Sequence, residues 1–341
     1  MRVFVTGGSG IVGGDVISRL VADGREVVAL ARSDAAARGL DDLGVSRTVR
    51  GDVFDRDALA EGMAGCETAY HVAGVNAMCV ADPRPMFRAN IEGSRRVVRA
   101  AADAGVRRLV YTSSAAAIGE ARGTVGSEES LHRGEYLSRY EQSKHRAEQA
   151  VWKEAERTDL EVVAVLPSSV QGPGRGGGTA KILLDFVNGT LPAIIDSRLS
   201  IVDIRDCAAG HVLAEQDGKS GERYLLNGAT MTVREGLELL SEVTGVETRV
   251  RSLPGPLASG AAAAATAVAR VRRREPRFCP EMVRTLRHGH AYDGSKATRE
   301  LGLEYTLAAE TLERTIRWFA EQGMVTRDLP GLGIRAARGG G

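Results

Sequence analysis

The chain has 341 residues, of which 43% are hydrophobic and 26% charged, the balance of a folded globular protein. Lysine plus arginine (45) and aspartate plus glutamate (44) nearly cancel to a net charge of +1, which argues against a nucleic-acid binder. The four cysteines, Cys66, Cys79, Cys207 and Cys279, form no C-x-x-C pair. This scatter predicts reduced thiols and a cytoplasmic location, and the strand-like segment from Arg2 leaves no room for a signal peptide.

The first half of the chain alternates short Val-rich segments with longer helical patterns. Strands are predicted at 2–6, 26–31, 46–51, 68–73, 108–113 and 161–167. Helices are predicted at 13–23, 88–104 and 138–157. This alternation is typical of βαβ units and predicts an α/β fold, a doubly wound parallel sheet of the Rossmann type.

Beyond Pro167 the pattern changes to a loop-like segment, PSSVQGPGRGGG, followed by mixed short elements. Helices are predicted there around 233–244, 257–274, 280–287 and 308–322, which indicates a smaller α-rich C-terminal substrate lobe. The predicted division is a dinucleotide-binding domain at 1–170, with 198–228 rejoining it, a substrate-binding lobe at 171–197 and 229–325, and a flexible tail at 326–341.

The most membrane-like stretch, PLASGAAAAATAVARV at 256–271, is shorter than a bilayer span and only weakly apolar. It predicts no membrane span. A packed Ala-rich helix is the favoured interpretation, and a helix on a membrane surface, followed by Arg272, Arg273 and Arg274, is the alternative.

A glycine-rich segment, VTGGSGIVG, lies between the first predicted strand and the first helix. Gly7 permits the tight turn, Gly10 lets the backbone approach a pyrophosphate, and Gly13 allows close packing of the helix on the sheet. Helix N–H groups then face the phosphate. The position of these glycines favours dinucleotide binding over a purely structural turn.

The residues after the second and third strands bear on the choice of cofactor. Arg32 ends the second strand, followed by Ser33 and then Asp34. A cation there pairs with the 2′-phosphate of NADP, whereas NAD binders usually carry an acidic residue. NADP(H) is therefore favoured over NAD(H). Asp52 is placed to reach the adenine amino group, because Asp55 is better placed to cap the next helix.

The motif Tyr-x-x-x-Lys occurs twice, at Tyr140–Lys144 and at Tyr292–Lys296. A tyrosine can protonate the oxygen of a reduced carbonyl, and a lysine one helical turn away lowers its pKa. The first copy lies in an unbroken helical pattern downstream of a strand that ends in Ser113-Ser114. In the second copy Asp293-Gly294 interrupts any helix, so the first copy is predicted to be catalytic and the second structural.

These segments together resemble a known family. TGGSGIVG, GDVFD, HVAG, YTSSAAAIG, YEQSK and LPSSVQGPG are similar to motifs of the extended short-chain dehydrogenase/reductases, within the NAD-dependent epimerase/dehydratase superfamily. The resemblance is nearest to the branch of dihydroflavonol reductases, 3β-hydroxysteroid dehydrogenases and hopanoid-associated sugar epimerase-like proteins. It runs from residue 2 to about 322.

The resemblance implies a role for each matching position. Tyr140 would exchange the proton, Lys144 would lower its pKa and hold the nicotinamide ribose, and Ser114 would hydrogen bond the substrate oxygen, with Ser113 as the fallback. Asn90 matches a family asparagine of uncertain role, and an ordinary asparagine on a helix face is the alternative. The residues assigned to cofactor binding are Gly7, Ser9, Gly10, Ile11, Gly13, Arg32, Ser33, Asp52, Val53, Ala73, Gly74, Tyr140, Lys144, Pro167 and Ser169.

Departures from the family pattern bear on the substrate. Leu166 precedes Pro167 where many sugar-modifying members carry arginine, and SSAAAIG lacks the tyrosine of many nucleotide-sugar epimerases. The sequence therefore favours an NADPH-preferring reductase of a small ketone or aldehyde, or secondary alcohol dehydrogenase. A nucleotide-sugar epimerase or dehydratase with tightly bound NAD is the alternative, and a non-catalytic dinucleotide-sensing protein is a third interpretation.

Two further expectations concern partners and metals. The resemblance implies a homodimer through a four-helix bundle, and Val97, Val98, Ala147 and Val151 suit either that contact or the core. His288-Gly-His290 has no ligand cluster beside it in the sequence, so no metal is predicted and the segment is expected at the surface.

Overall fold

A parallel β-sheet forms the centre of the computed structural model, which describes residues 1–272, 274–276 and 278–336. The strands are β1 (Arg2–Thr6), β2 (Glu26–Ala31), β3 (Arg47–Arg50), β4 (Thr68–His71), β5 (Arg108–Thr112), β6 (Glu161–Pro167), β7 (Ser169–Gln171), β8 (Ala193–Ile194), β9 (Arg198–Asp203), β10 (Arg223–Leu226), β11 (Ala229–Thr232) and β12 (Arg251–Ser252).

The helices alternate with these strands in the first half and dominate the second. They are α1 (Ile11–Ala22), α2 (Asp34–Asp41), α3 (Arg56–Met63), α4 (Arg84–Phe87), α5 (Ser94–Asp103), α6 (Arg139–Ala155), α7 (Thr179–Val187), α8 (Ile204–Gln216), α9 (Val233–Thr244), α10 (Gly255–Val271), α11 (Pro280–His288), α12 (Ser295–Leu301) and α13 (Ala308–Glu321).

The central sheet has the order β10-β6-β5-β4-β1-β2-β3, and all its neighbouring strands are parallel. In β1, Val3 and Val5 pack into the core cluster on one face and Phe4 into the cluster on the other. Successive side chains of a strand point to opposite faces, so a strand covered on both sides is apolar throughout. Helices α1 and α8 contribute to one cluster, and α3, α5 and α6 to the other. The predicted doubly wound α/β fold is confirmed.

The helix predicted at 88–104 is divided in the structure. The short α4 is followed by a π-helical turn over Arg88–Gly93, and only then by α5. A π turn widens the helix by one residue and is frequent at functional sites. Here the turn contains the buried Asn90.

The segment 198–228 is shared between two sheets. β10 forms the edge of the central sheet beside β6, and α8 packs against α1. β9 instead lies in a small sheet of order β11-β9-β7. This small sheet and helices α7, α9 and α13 enclose a separate apolar core, which includes Phe186 and Phe319.

The chain after α13 differs from the expected flexible tail. Leu329 and Leu332 are buried in the core of the second half, and Leu329 forms an isolated bridge with Ile334. Apolar side chains in this segment find a surface on which to pack, which composition alone did not reveal. Residues 337–341 lie outside the described residues.

The cysteines correct the expectation of reduced thiols. Cys79 and Cys279 form a disulfide although they are 200 positions apart, while Cys66 and Cys207 are free and buried. The fold places the loop after β4 against the N-terminal end of α11. Pairing over such a sequence distance cannot be inferred from spacing.

The Ala-rich helix α10 packs on α11 through Ala258 and Ala262, as the favoured interpretation predicted. Leu257 and Val271 remain exposed on it. Among the described residues, no helix is both long enough and apolar enough to cross a membrane. Arg273 lies outside the described residues.

Candidate active site

The glycine loop between β1 and α1 is shaped to hold a phosphate. A Cβ atom at Gly7, where φ is +77°, would lie 2.4 Å from the backbone nitrogen of Ala73, and one at Gly13 would lie 2.2 Å from the oxygen of Gly7. Neither position admits a side chain. Helix α1 starts at Ile11, and its N-cap residue, Gly10, offers no side-chain cap. The first N–H groups of the helix are therefore open to an anion.

Ser9, Gly10 and Ile11 are exposed along this loop, and Ala73 and Gly74 lie opposite it. The structure thus brings the two glycine-containing segments GGSGI and HVAG together at the carboxyl ends of β1 and β4. This is the edge at which open parallel sheets bind their ligands. The residues present fit a dinucleotide pyrophosphate.

Arg32 at the end of β2 is exposed and forms no hydrogen bond or ion pair with other described residues. Ser33 is occupied as the cap of α2, accepting a hydrogen bond from the Ala36 amide at 3.2 Å. Asp34 pairs with Arg50 at 3.3 Å. The carboxylate nearest the end of β2 is therefore engaged, and the guanidinium group of Arg32 is available for a ligand.

Asp52 follows β3 and bends the chain by accepting a hydrogen bond from the Phe54 amide at 2.7 Å. Val53 is half-buried beside it. Asp55 caps α3 through the Ala58 amide at 3.1 Å, as the sequence predicted. One oxygen of Asp52 is thus used locally, and the side chain keeps a second oxygen.

Tyr140 and Lys144 both lie on α6, whose first turn is capped by Ser138. Lys144 is 6% exposed, and its ammonium group donates to the Thr112 carbonyl oxygen at 2.8 Å. Burial lowers the pKa of Lys144 to about 8, although the Glu148 carboxylate opposes the shift. Because residues four apart share one helix face, the two side chains lie on the same side of α6.

The two serines after β5 have different partners. Ser113 donates a hydrogen bond to the buried carboxylate of Glu148, whose other oxygen accepts from Arg223 at 3.1 Å. Ser114 caps the following turn through the Ala116 amide at 3.3 Å, and its hydroxyl faces Tyr140. The Ser113 hydroxyl is therefore occupied by the Glu148 carboxylate, whereas the Ser114 hydroxyl lies beside Tyr140.

Tyr140 is half-buried, and its surroundings act on its acidity in opposite directions. Burial raises the pKa of Tyr140, while the hydrogen bond with Ser114 and the positive charge of Arg175 oppose the rise. Arg175 belongs to the loop after β7, is itself partly buried, and its Nε atom has no hydrogen-bond partner in the described structure. No sequence pattern indicated this arginine beyond its place in a glycine-rich loop.

Asn90 joins the loop after β4 to α6. Its oxygen accepts from the Val75 amide at 2.7 Å, and its amide nitrogen donates to the Val75 carbonyl at 3.0 Å and to the Ser143 hydroxyl at 2.9 Å. All its polar groups are used, so it is not an ordinary asparagine on a helix face. It holds the segment after HVAG at a fixed distance from α6.

Pro167 is buried at the end of β6, and Ser169 begins β7. The Ser169 hydroxyl bonds to that of Thr179 at 2.6 Å and accepts from the Gln171 amide at 3.0 Å. Gln171 and Thr179 also line an apolar cleft in the second half, together with side chains such as Ile182 and Met231. The cleft therefore begins next to Ser169.

The second Tyr-x-x-x-Lys copy has a structural environment. Tyr292 bridges to Gly126, and Lys296 lies in α12 and binds Glu222 at 2.5 Å. Asp293 accepts from the Ser295 amide at the start of that helix. The two side chains share no helix, as the interruption at Asp293-Gly294 predicted.

The histidines are more buried than their sequence context indicated. His71 is a core residue between Thr6 and Ser94, and burial lowers its pKa to about 3, so it is neutral. His288 was expected in a surface segment, yet its side chain is only 5% exposed. It lies with His290 beside Glu120, which the loop after β5 brings to them.

Comparison with known proteins identifies the family. The model of the NAD dependent epimerase/dehydratase family matches residues 3–226, which run from β1 to β10. The chain belongs to this family. It is an enzyme of the NAD-dependent oxidoreductase and epimerase type, and the resemblance to the extended short-chain dehydrogenase/reductases is confirmed.

Individual relatives match over most of the chain. The sterol demethylase protein B of Methylococcus capsulatus is 33% identical, covering 95% of this chain and 100% of its own. The 4-hydroxy-2-methyl-3-oxo-4-farnesyl-3,4-dihydroquinoline-1-oxide ketoreductase of Stigmatella aurantiaca is 34% identical, covering 77% and 79%. The crystal structure of gox2253 superposes with a TM-score of 0.82 at 30% identity, covering 95% of this chain and 99% of that one.

Proposed function

We propose that this enzyme is an NADPH-preferring reductase of ketones or aldehydes, equivalent in reverse to a secondary alcohol dehydrogenase. The observation that carries the proposal is the placement of Ser114 beside Tyr140, with Lys144 one helical turn further along and tied to the end of β5. A similarity to a relative named as a ketoreductase supports it.

The proposed mechanism assigns one task to each side chain. When bound, the nicotinamide supplies a hydride to the carbonyl carbon. Ser114 donates a hydrogen bond to the carbonyl oxygen, and Tyr140 gives its phenolic proton to that oxygen as negative charge develops on it. Lys144 and Arg175 favour the phenolate that remains, because opposite charges stabilise the ionised form.

Cofactor selection is proposed to rest on Arg32. The guanidinium group is exposed at the end of β2, while Asp34 is paired with Arg50. A 2′-phosphate offers the charge-assisted hydrogen bonds that Arg32 does not form with any described residue, whereas the nearby carboxylate of Asp34 is paired with Arg50. This supports NADP(H) over NAD(H).

The substrate is proposed to be a small-molecule carbonyl compound with an apolar body. The apolar cleft beside Ser169 would take that body, because its walls are mainly aliphatic. Arg175 would meet a polar oxygen near the reacting carbonyl, since it is a partly buried cation whose charge acts on Tyr140.

A nucleotide-sugar epimerase or dehydratase with tightly bound NAD is the second candidate, and the description of the matching family favours it. The two differ in nucleotide content and turnover. If the enzyme is the proposed reductase, the purified protein should release little nucleotide on denaturation and should oxidise added NADPH in the presence of ketones. Stoichiometric NAD with no oxidation of added NADPH would contradict it. If the protein is a non-catalytic sensor, it should bind the nucleotide but show neither ketone reduction nor epimerase or dehydratase activity.

Assembly and location remain proposals. Val97, Val98, Ala147 and Val151 are fully buried within this single chain, so they serve the core. A homodimer through α5 and α6 would have to use outer side chains of these helices, such as Arg99, and light scattering of the purified protein tests it.

A cytoplasmic location also stays a prediction, and the Cys79–Cys279 disulfide does not support it.

A further inference from the structure

We infer that Glu120, His288 and His290 form a binding site for a single zinc ion, outside the cofactor and substrate sites. The carboxylate comes from the loop after β5, and both imidazoles come from the segment at the end of α11. A donor set of two imidazoles and one carboxylate suits zinc, which takes nitrogen and oxygen ligands in tetrahedral sites.

The three ligand groups already converge. One potential ligand atom from each lies within 4.8 Å of the others. Glu120 Oε1 is 3.5 Å from His288 Nε2 and 2.6 Å from His290 Nδ1. Ligand atoms in a tetrahedral zinc site, with bonds of about 2.0 Å, are separated by about 3.3 Å. The first distance fits an ion as it stands, and the second requires His290 to move by less than about 1 Å.

Two buried polar atoms in this cluster lack partners. Glu120 Oε2 and His288 Nε2 form no hydrogen bond within the described structure. The two side chains are 2% and 5% exposed, respectively. An unsatisfied buried polar atom costs about 1–3 kcal/mol, and native proteins keep few of them. A bound cation would satisfy His288 Nε2 directly and the Glu120 carboxylate as a whole.

The hydrogen bonds of His290 permit the tautomer that a ligand needs. Neutral imidazole is the form that binds metal. His290 now donates from Nδ1 to Glu120 or accepts there from Tyr292, whose hydroxyl lies 3.1 Å away. Moving one proton from Nδ1 to Nε2 would free Nδ1 for the ion.

The surrounding charges permit a cation. Among the described residues, Arg133 donates to the backbone oxygen of Glu120 at 3.0 Å, and its charge is paired with Glu141. His132 is also close, yet its Nδ1 accepts from the Gly134 amide at 3.0 Å, so its Nε2 carries the proton. His132 is therefore excluded as a ligand and serves as a matched control.

Such an ion would link two parts of the enzyme. Gly126, in the loop that follows Glu120, already bridges to Tyr292, and Arg133 from that loop holds Glu141, the neighbour of Tyr140. The zinc would thus hold the loop after β5 against the second half of the chain. His290 is 20% exposed and provides an entry path.

Zinc binding to the full-length protein tests the inference. The protein is stripped with EDTA, kept without reductant so that Cys79 and Cys279 stay bonded, and titrated with zinc sulfate by calorimetry. We expect about one zinc per chain, a higher melting temperature with zinc, and at least about tenfold weaker binding in Glu120→Gln and His288→Gln. His132→Gln should bind like the unmodified protein.

Three results would overturn the inference. Uptake well below one zinc per chain in the unmodified protein is the first, and equal binding by the ligand variants and the control is the second. Uptake that appears only after reduction would assign the ion to Cys79, Cys279 and Glu281 instead. If a ligand variant fails to fold by circular dichroism, cobalt(II) spectra of the unmodified protein decide between tetrahedral nitrogen–oxygen ligation and none.

Discussion

The ammonium group of Lys144 donates a 2.8 Å hydrogen bond to the backbone oxygen of Thr112, the last residue of β5. This bond ties α6 to the strand end that precedes Ser113 and Ser114. The lysine is therefore held by the strand on the same face of α6 as Tyr140, and the positive charge of Arg175 also acts to lower the pKa of Tyr140.

The first prediction concerns the pH dependence of reduction. The pKa of Lys144 is lowered to about 8, so its charge is present below that pH and is lost as pH rises through it. The pKa of Tyr140 is raised, so the phenol stays protonated over the same range. We expect kcat/KM for carbonyl reduction to fall above about pH 8. Lys144→Arg, which stays charged, should shift this fall to higher pH, and an unchanged profile in that variant would count against the assignment.

Ser114 and Ser113 provide a matched pair. Ser114→Ala removes the hydroxyl beside Tyr140, and we expect kcat to fall about 10²–10³-fold, the range for loss of one donor to a developing oxyanion. Ser113→Ala removes one of the two hydrogen-bond partners of the buried Glu148 carboxylate, so it should mainly lower the free energy of unfolding, by about 1–3 kcal/mol. Steady-state kinetics and urea unfolding of both variants separate the roles, and the reverse pattern would show that Ser113 is the donor.

Arg32 is expected to select the cofactor. Replacing it with aspartate removes a cation and adds a carboxylate at the end of β2, which should lower the ratio of kcat/KM for NADPH over NADH at least about tenfold. Arg38→Asp makes the same charge change on the exposed surface of α2 and is the control. Equal ratios in the Arg32 variant and the unmodified enzyme would refute the role.

The Cys79–Cys279 disulfide is expected to stabilise the fold. It joins the loop after β4 to the start of α11, and Glu281 reinforces the junction by accepting hydrogen bonds from the amides of Cys79 and Arg139. The double variant Cys79→Ser, Cys279→Ser should lose about 2–5 kcal/mol of unfolding free energy. Reductant should reproduce this loss in the unmodified protein and have no further effect on the double variant. Unfolding curves unaffected by reductant would contradict the prediction.

The parts of the molecule that the sequence predicted are those encoded locally. Val-rich strands alternate with helical patterns, and their predicted bounds agree with the structure within about two residues at β1, β2, β4 and β6. Gly7 and Gly13 could be assigned because a close backbone approach requires glycine there. The structural role of the second Tyr-x-x-x-Lys motif, Tyr292 to Lys296, could also be predicted, since Asp293-Gly294 interrupts a helix.

Other features depend on contacts between distant segments. Cys79 meets Cys279 across 200 positions, and Glu120 meets His290 across 170. Arg175 acts on Tyr140 through its charge from a glycine-rich loop without periodicity, so no local pattern indicated it. Asn90 lies in a π-helical turn. The α-helical repeat of 3.6 residues therefore does not predict correctly which side of the helix its side chain is on. These relations follow from the folded arrangement of the loops at the carboxyl ends of the strands.

The central claim is that Tyr140 supports net hydride transfer to a carbonyl carbon, and deuterium transfer tests it most directly. NADPH labelled with deuterium at the transferable position is incubated with aliphatic and aryl ketones, and the alcohols are analysed by mass spectrometry. We predict deuterium in an alcohol product with the unmodified enzyme and with Tyr292→Phe, and a loss of at least about 10²-fold in its rate with Tyr140→Phe. Labelled product formed equally by Tyr140→Phe, or no labelled product from any ketone while bound NAD is retained, would contradict the account.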